Sequence, residues 1–102
     1  MTTLDEITDR IRGAVASGPD LGRRLKFDLK GEGFIHIDGA AVTNEDLPAD
    51  LVISISTKDL VALGKRELDP MRAIMSGRMK LSDMGLAMQL QPVIQTLFAR
   101  AV

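Results

Sequence analysis

A chain of 102 residues with a formal net charge of −1 holds one domain, residues 1–102, and lacks the overall positive field that draws in nucleic acid. Hydrophobic residues at 45% and charged residues at 26% are ordinary for a globular protein with one core, and the lack of cysteine removes disulfides, thiol nucleophiles and thiolate metal sites together. Residues 1–20 have no long apolar run, no uncharged stretch reaches the roughly 20 residues a membrane helix needs, and Ala99-Arg100-Ala101-Val102 is not a peroxisomal address, so the expected location is cytoplasmic.

Thr3-Leu4-Asp5-Glu6 reads as a capping box, and Leu4, Ile7, Ile11 and Val15 then recur at helical spacing until Ser17-Gly18-Pro19-Asp20 ends the helix. Leu25, Phe27 and Leu29 alternate with Lys26, Asp28 and Lys30 as in a half-buried strand. Gly31-Glu32-Gly33 turns the chain into a second strand, Phe34 to Asp38, with Ile35 and Ile37 inward. An acidic loop with Pro48 spans Thr43 to Asp50, and Leu51, Ile53 and Ile55 form a third strand. Thr57 is the expected N-cap of a helix from about Lys58 to Glu67. Asp69-Pro70 opens another, with Met71, Ile74 and Met75 inward and Gly77 placed to stop it. Met79 and Leu81 alternate with Arg78 and Lys80 in a short fourth strand, and a last helix runs from about Met84 to Phe98 with Pro92 a point for a kink. Hairpin-linked strands with segregated helices give an α+β fold, its sheet antiparallel or mixed and covered on one face.

Little of this points to catalysis or to a metal. The lone histidine, His36, alternates with inward residues and reads as solvent-facing or structural. Gly31-Glu32-Gly33 lacks the third glycine and the following helix of a phosphate loop. Glu45, Asp46 and Asp50 do not have calcium-loop spacing. The looser basic stretch of Lys65, Arg66, Arg72, Arg78 and Lys80 reads as a solvated surface, with contact to an anionic head group as the sharper alternative. No catalytic residue, metal ligand or cofactor is expected, and the chain is not expected to be an enzyme.

One feature does call for a function. Five of the six methionines (Met71, Met75, Met79, Met84 and Met88) fall in one short segment, and Met84 to Ala99 contains no charged residue. A surface helix normally carries charge on its outer face. At about 100° per residue, Leu86 and Leu90 lie on one side and Met84 and Met88 on the other, with Gln91 and Gln95 near the methionines. Flexible, polarizable methionines suit a surface that accepts several shapes, so this face is core filler, a dimer surface or the wall of an apolar ligand site. At about 0.8 kcal/mol per buried CH₂, a sixteen-carbon chain gains roughly 10 kcal/mol before its entropic costs.

Asp50 to Ser56, Asp59-Leu60, Leu68-Asp69-Pro70, Ala73-Ile74, Gly77 to Leu81 and Met84 to Met88, taken in order, resemble the sterol carrier protein-2 (sterol transfer, or nonspecific lipid-transfer) domain family, most strongly over residues 50–90. The resemblance implies a five-stranded sheet with helices on one face enclosing an apolar tunnel, with a further strand around Ala40 to Thr43. It also implies non-enzymatic binding and transfer of a lipid: a fatty acid, a fatty acyl-CoA, a phospholipid, or a sterol-like or isoprenoid ligand. The tunnel residues it implies are Met71, Ile74, Met75, Met79, Leu81, Met84 and Met88. An accessory module that presents a lipid to a partner enzyme is the alternative. No nucleic acid and at most transient membrane contact are expected; a homodimer stays open. The chain departs from the family pattern at Ser82-Asp83, one residue short and without the usual glycine, at Ile74, where an aromatic is common, and at Gln89, where a lysine is. The shorter turn is expected to shift the final helix and reshape the tunnel mouth.

Overall fold

The structure, a computed structural model, describes residues 3–18 and 22–100. Helix α1 (Leu4–Ser17) opens at Thr3, whose Oγ1 accepts from the Glu6 amide at 3.2 Å. It buries Ile7, Ile11 and Ala14; Pro19 and Asp20, expected to end it, lie outside the described residues. Strands β1 (Leu25–Asp28) and β2 (Phe34–Asp38) form the expected hairpin. Its turn needs Gly33: φ is 134°, and a Cβ there would meet the Leu4 side chain at 2.7 Å. The strand implied near Ala40 is β3 (Ala41–Thr43), antiparallel to β2.

Strand β4 (Leu51–Ile55) lies beside β1, and this one pairing is parallel. Strand β5 (Met79–Leu81) joins the far edge antiparallel to β4, giving the five-stranded order β3-β2-β1-β4-β5. Parallel neighbours require a long crossover, supplied here by the β1-β2-β3 meander and the 44–50 loop. The sheet is thus mixed and the fold α+β.

Helix α2 (Thr57–Gly64) is capped by Ser56, not Thr57: Ser56 Oγ accepts from the Asp59 amide at 3.1 Å. It also stops before the expected Glu67. Arg66 turns into left-handed backbone at φ 62°, and the Glu67 and Leu68 amides both bond the Ala62 carbonyl. Helix α3 (Pro70–Met75) starts at its proline, and Gly77 leaves it at φ 77°.

The expected last helix is two: α4 (Met84–Gln89) and α5 (Gln91–Arg100). Pro92 has no N–H to give the Met88 carbonyl, so the chain breaks at Leu90 (ψ 4°) and restarts with Pro92 in the first turn. The short Ser82-Asp83 turn is pinned at both ends. Ser82 pairs with Val52 through its amide (3.0 Å) and its Oγ (2.8 Å), and Asp83 caps α4 at the Leu86 amide (3.0 Å).

The helices share one face of the sheet. Ile7, Ile11, Leu60, Leu63, Leu97 and Phe98 pack in one core with Leu25, Phe27, Ile35, Ile37, Ile53 and Ile55. Phe27 and Phe98 meet at 5.8 Å between ring centroids. Helix α5 packs against α1, α2 and α4 and so closes the layer.

Candidate apolar site

Between α3, β5, α4 and α5 the helix layer leaves an open-sided cleft of about 360 Å³, within the size range of small-molecule sites. Each lining element presents what its periodicity dictates. Helix α3 offers Met71 and Ile74, three apart on one face; β5 offers Met79 and Leu81, two apart; α4 offers Met84 and Met88, four apart. Met79, Ala87, Ile94 and Phe98 are buried and form the floor. Met71, Met84 and Met88 are 61%, 50% and 68% exposed and form the rim. Gln91 and Gln95 add neutral polar groups, and Asp69 is the one ionisable residue in the lining. The lining holds no hydroxyl, thiol, amine or imidazole, and its one group able to act as base or nucleophile is the Asp69 carboxylate.

Six of the seven residues expected to line a tunnel therefore meet around one space. Met75 does not. It is 81% exposed and outside the cleft, because α3 turns Pro70, Met71 and Ile74 toward it. The short Ser82-Asp83 turn leaves Met84 and Met88 facing that same space. Sequence reasoning missed Ala87, Ile94 and Phe98 as part of the site. Their signal was Pro92, since a break there turns core-facing residues toward the opening.

A neighbouring hollow of about 390 Å³ between α2 and α5 shares Asp69, Pro70, Gln95 and Phe98 with the cleft but also takes in Arg66, and the remaining hollows differ from the cleft in charge or size. Those of about 520 and 550 Å³ are lined largely by charged residues, among them Arg23, Arg24 and Asp50 in the first and Arg66, Arg72 and Arg78 in the second. An apolar crevice of about 240 Å³ between α1 and α5 is smaller.

His36 is 4% exposed, not solvent-facing, because the 44–50 loop folds across the outer face of the sheet. Its Nε2–H donates to the Pro48 carbonyl at 2.9 Å. On that face Lys26 Nζ lies 2.6 Å from Asp46, and the Arg24 amide donates to Asp50 at 2.9 Å. Among the described residues no cluster of three His, Asp or Glu could hold a metal, no buried side-chain nitrogen or oxygen lacks a partner, and no helix is long and apolar enough to cross a membrane.

Residues 7–95 match the model of the SCP-2 sterol transfer family. Sterol carrier protein 2 of Oryctolagus cuniculus is 41% identical over 54 residues, 52% of this chain; the chain spans only 10% of that protein's length. The crystal structure of Sterol Carrier Protein 2 Like 2 from Aedes aegypti superposes with a TM-score of 0.75 at 22% identity, covering 88% of this chain and 94% of that one. The solution structure of Sterol Carrier Protein-2 from Aedes aegypti, in complex with the C16 fatty acid palmitate, has a TM-score of 0.69 at 18% identity, covering 90% and 94%. At those identities the structural likeness carries the fold.

Proposed function

This chain belongs to the SCP-2 sterol transfer family, and we propose that it binds a lipid in the cleft between α3, β5, α4 and α5 and carries it without chemical change. The observation that carries the reading is a lining in which methionines and aliphatic residues surround a space with one ionisable group, Asp69. Apolar burial supplies the affinity. At about 0.8 kcal/mol per CH₂ buried, a long acyl chain gains enough to outweigh the cost of ordering it. Met71, Met84 and Met88 would fold over the chain and turn the cleft into a tunnel, while Ile74, Met79 and Leu81 contact it from within. Gln91 and Gln95 are placed to hydrogen-bond a polar head. A fatty acid is the ligand class favoured, since a relative of the same fold holds palmitate; acyl-CoA, sterol-like and isoprenoid ligands rank after it. A lining with a single carboxylate, Asp69, and no second acid, base or nucleophile to work with it favours a carrier over an enzyme.

A second reading follows from length. The curated relative is a much longer protein, so presentation of the lipid to a partner enzyme is the alternative use of the same cleft. Titration with a fluorescent fatty acid tests both: saturable uptake of one ligand per chain supports the cleft, and no uptake overturns it.

A further inference from the structure

Met75, left outside the cleft, belongs to a second feature. Helix α3 separates two spaces. On one side it gives Met71 to the apolar cleft, and on the other it gives Arg72 to a hollow of about 550 Å³ where Arg66 and Arg78 outnumber, with it, the two carboxylates of Glu67 and Asp69. Along its exposed surface stand Met71 at 61% and Met75 at 81% exposure, one turn apart. Arg66, Arg72 and Arg78 form no ion pair among the described residues; the pairs present lie elsewhere, at Arg10, Arg12, Arg24 and Lys26. Charge is distributed to match. Residues 65–80 hold five basic and two acidic side chains, whereas the rest of the chain holds eight basic and twelve acidic. A chain of net charge −1 therefore has one cationic segment, and that segment carries Met75, the most exposed of the large apolar side chains among the described residues, together with Met71.

We infer that the α3 ridge, with Met71 and Met75 flanked by Arg66, Arg72 and Arg78, is a docking surface for an anionic phospholipid bilayer. The apolar side chains enter the headgroup boundary and the guanidinium groups pair with lipid phosphates and carboxylates. The acidic remainder is repelled by the same surface, which orients the molecule with α3 down. The cleft rim at Met71, Met84 and Met88 adjoins this ridge, so a chain could pass between cleft and bilayer without crossing bulk water. This purpose rests on the lipid-carrier reading; the docking surface itself does not.

The test is flotation of the protein with phosphatidylcholine vesicles, with and without phosphatidylserine. Binding is expected to need phosphatidylserine and to weaken as salt rises. Each basic residue at such a surface is worth about fivefold in affinity, so an Arg72→Glu/Arg78→Glu variant loses at least about 25-fold. Met75→Ser weakens binding several-fold, and Arg23→Glu, in the separate hollow lined by Asp38 and Asp50, changes it little. All four substituted side chains are solvent-accessible, and circular dichroism checks that each variant folds. Equal flotation with neutral and anionic vesicles, or an arginine variant that floats like the parent, overturns the surface. So does a stable dimer in sedimentation that Met75→Ser disrupts while flotation is absent, because the ridge then meets a second copy. Fatty-acid uptake measured without vesicles separates the two readings: uptake without flotation overturns the docking surface alone, and flotation without uptake supports it while overturning the carrier reading.

Discussion

Truncating two rim methionines, one from α3 and one from α4, Met71→Ala and Met88→Ala, should separate ligand affinity from stability. Burying a methionine side chain fully is worth about 1.5–3 kcal/mol. Met71 and Met88 are 61% and 68% exposed in the free protein, so most of that area is still available for a ligand to cover. Each substitution should therefore cost about 1–2 kcal/mol of binding, or about 5- to 30-fold in Kd. Folding loses only the part already covered, less than about 1 kcal/mol per site. Displacement of a fluorescent fatty acid reads the affinity, and urea unfolding reads the stability. Met75→Ala, outside the cleft, should leave uptake in solution unchanged. Refutation would be a folded double variant that binds within about twofold of the parent, against a predicted loss of at least about 30-fold, since a ligand held elsewhere would not sense these side chains.

Three further outcomes follow from the same geometry. Gly33→Ala forces a side chain into φ 134° and against Leu4 at 2.7 Å, and should lower stability by about 1–3 kcal/mol in urea unfolding. Phe98→Ala removes a 4% exposed ring that meets Phe27 and floors the cleft; it should cost about 3–5 kcal/mol of stability and, where the variant still folds, weaken lipid uptake as well. His36→Ala breaks the tie to the Pro48 carbonyl; faster amide exchange over residues 44–50 should accompany a loss of about 1–2 kcal/mol, with fatty-acid uptake unchanged, because His36 sits on the sheet face away from the cleft.

Where local chemistry decides, the sequence was readable. Thr3 and Glu6 announce α1, Asp69-Pro70 announces α3, and the period-two alternation of residues 25–29 and 51–55 gives β1 and β4 their inward faces. The clustered methionines and the charge-free run from Met84 to Ala99 are visible in the sequence; a charge-free helix must cover something or be covered, and Met71, Met79, Met84 and Met88 line the cleft. What stayed hidden depends on long-range placement. Nothing local says that β4 pairs parallel with β1, or that the 44–50 loop crosses the sheet and buries His36. Nearly equivalent neighbours also mislead: Ser56 and Thr57 can both cap a helix, and the phase of α2 chooses Ser56. Pro92 signalled an interruption, but whether it bends or divides a helix depends on the packing of both halves. A six-residue helix gives too few turns for the sequence to tell the cleft face, with Met71, from the outer position of Met75.

The central claim, that the methionine-rimmed cleft holds a lipid, meets its most direct test in native mass spectrometry of the purified protein, followed by solvent extraction and lipid analysis. A co-purifying acyl or isoprenoid species, bound one per chain and displaced by added palmitate, is the predicted result. A bare chain that gains no mass when palmitate is added would contradict the claim and leave the methionines as packing alone.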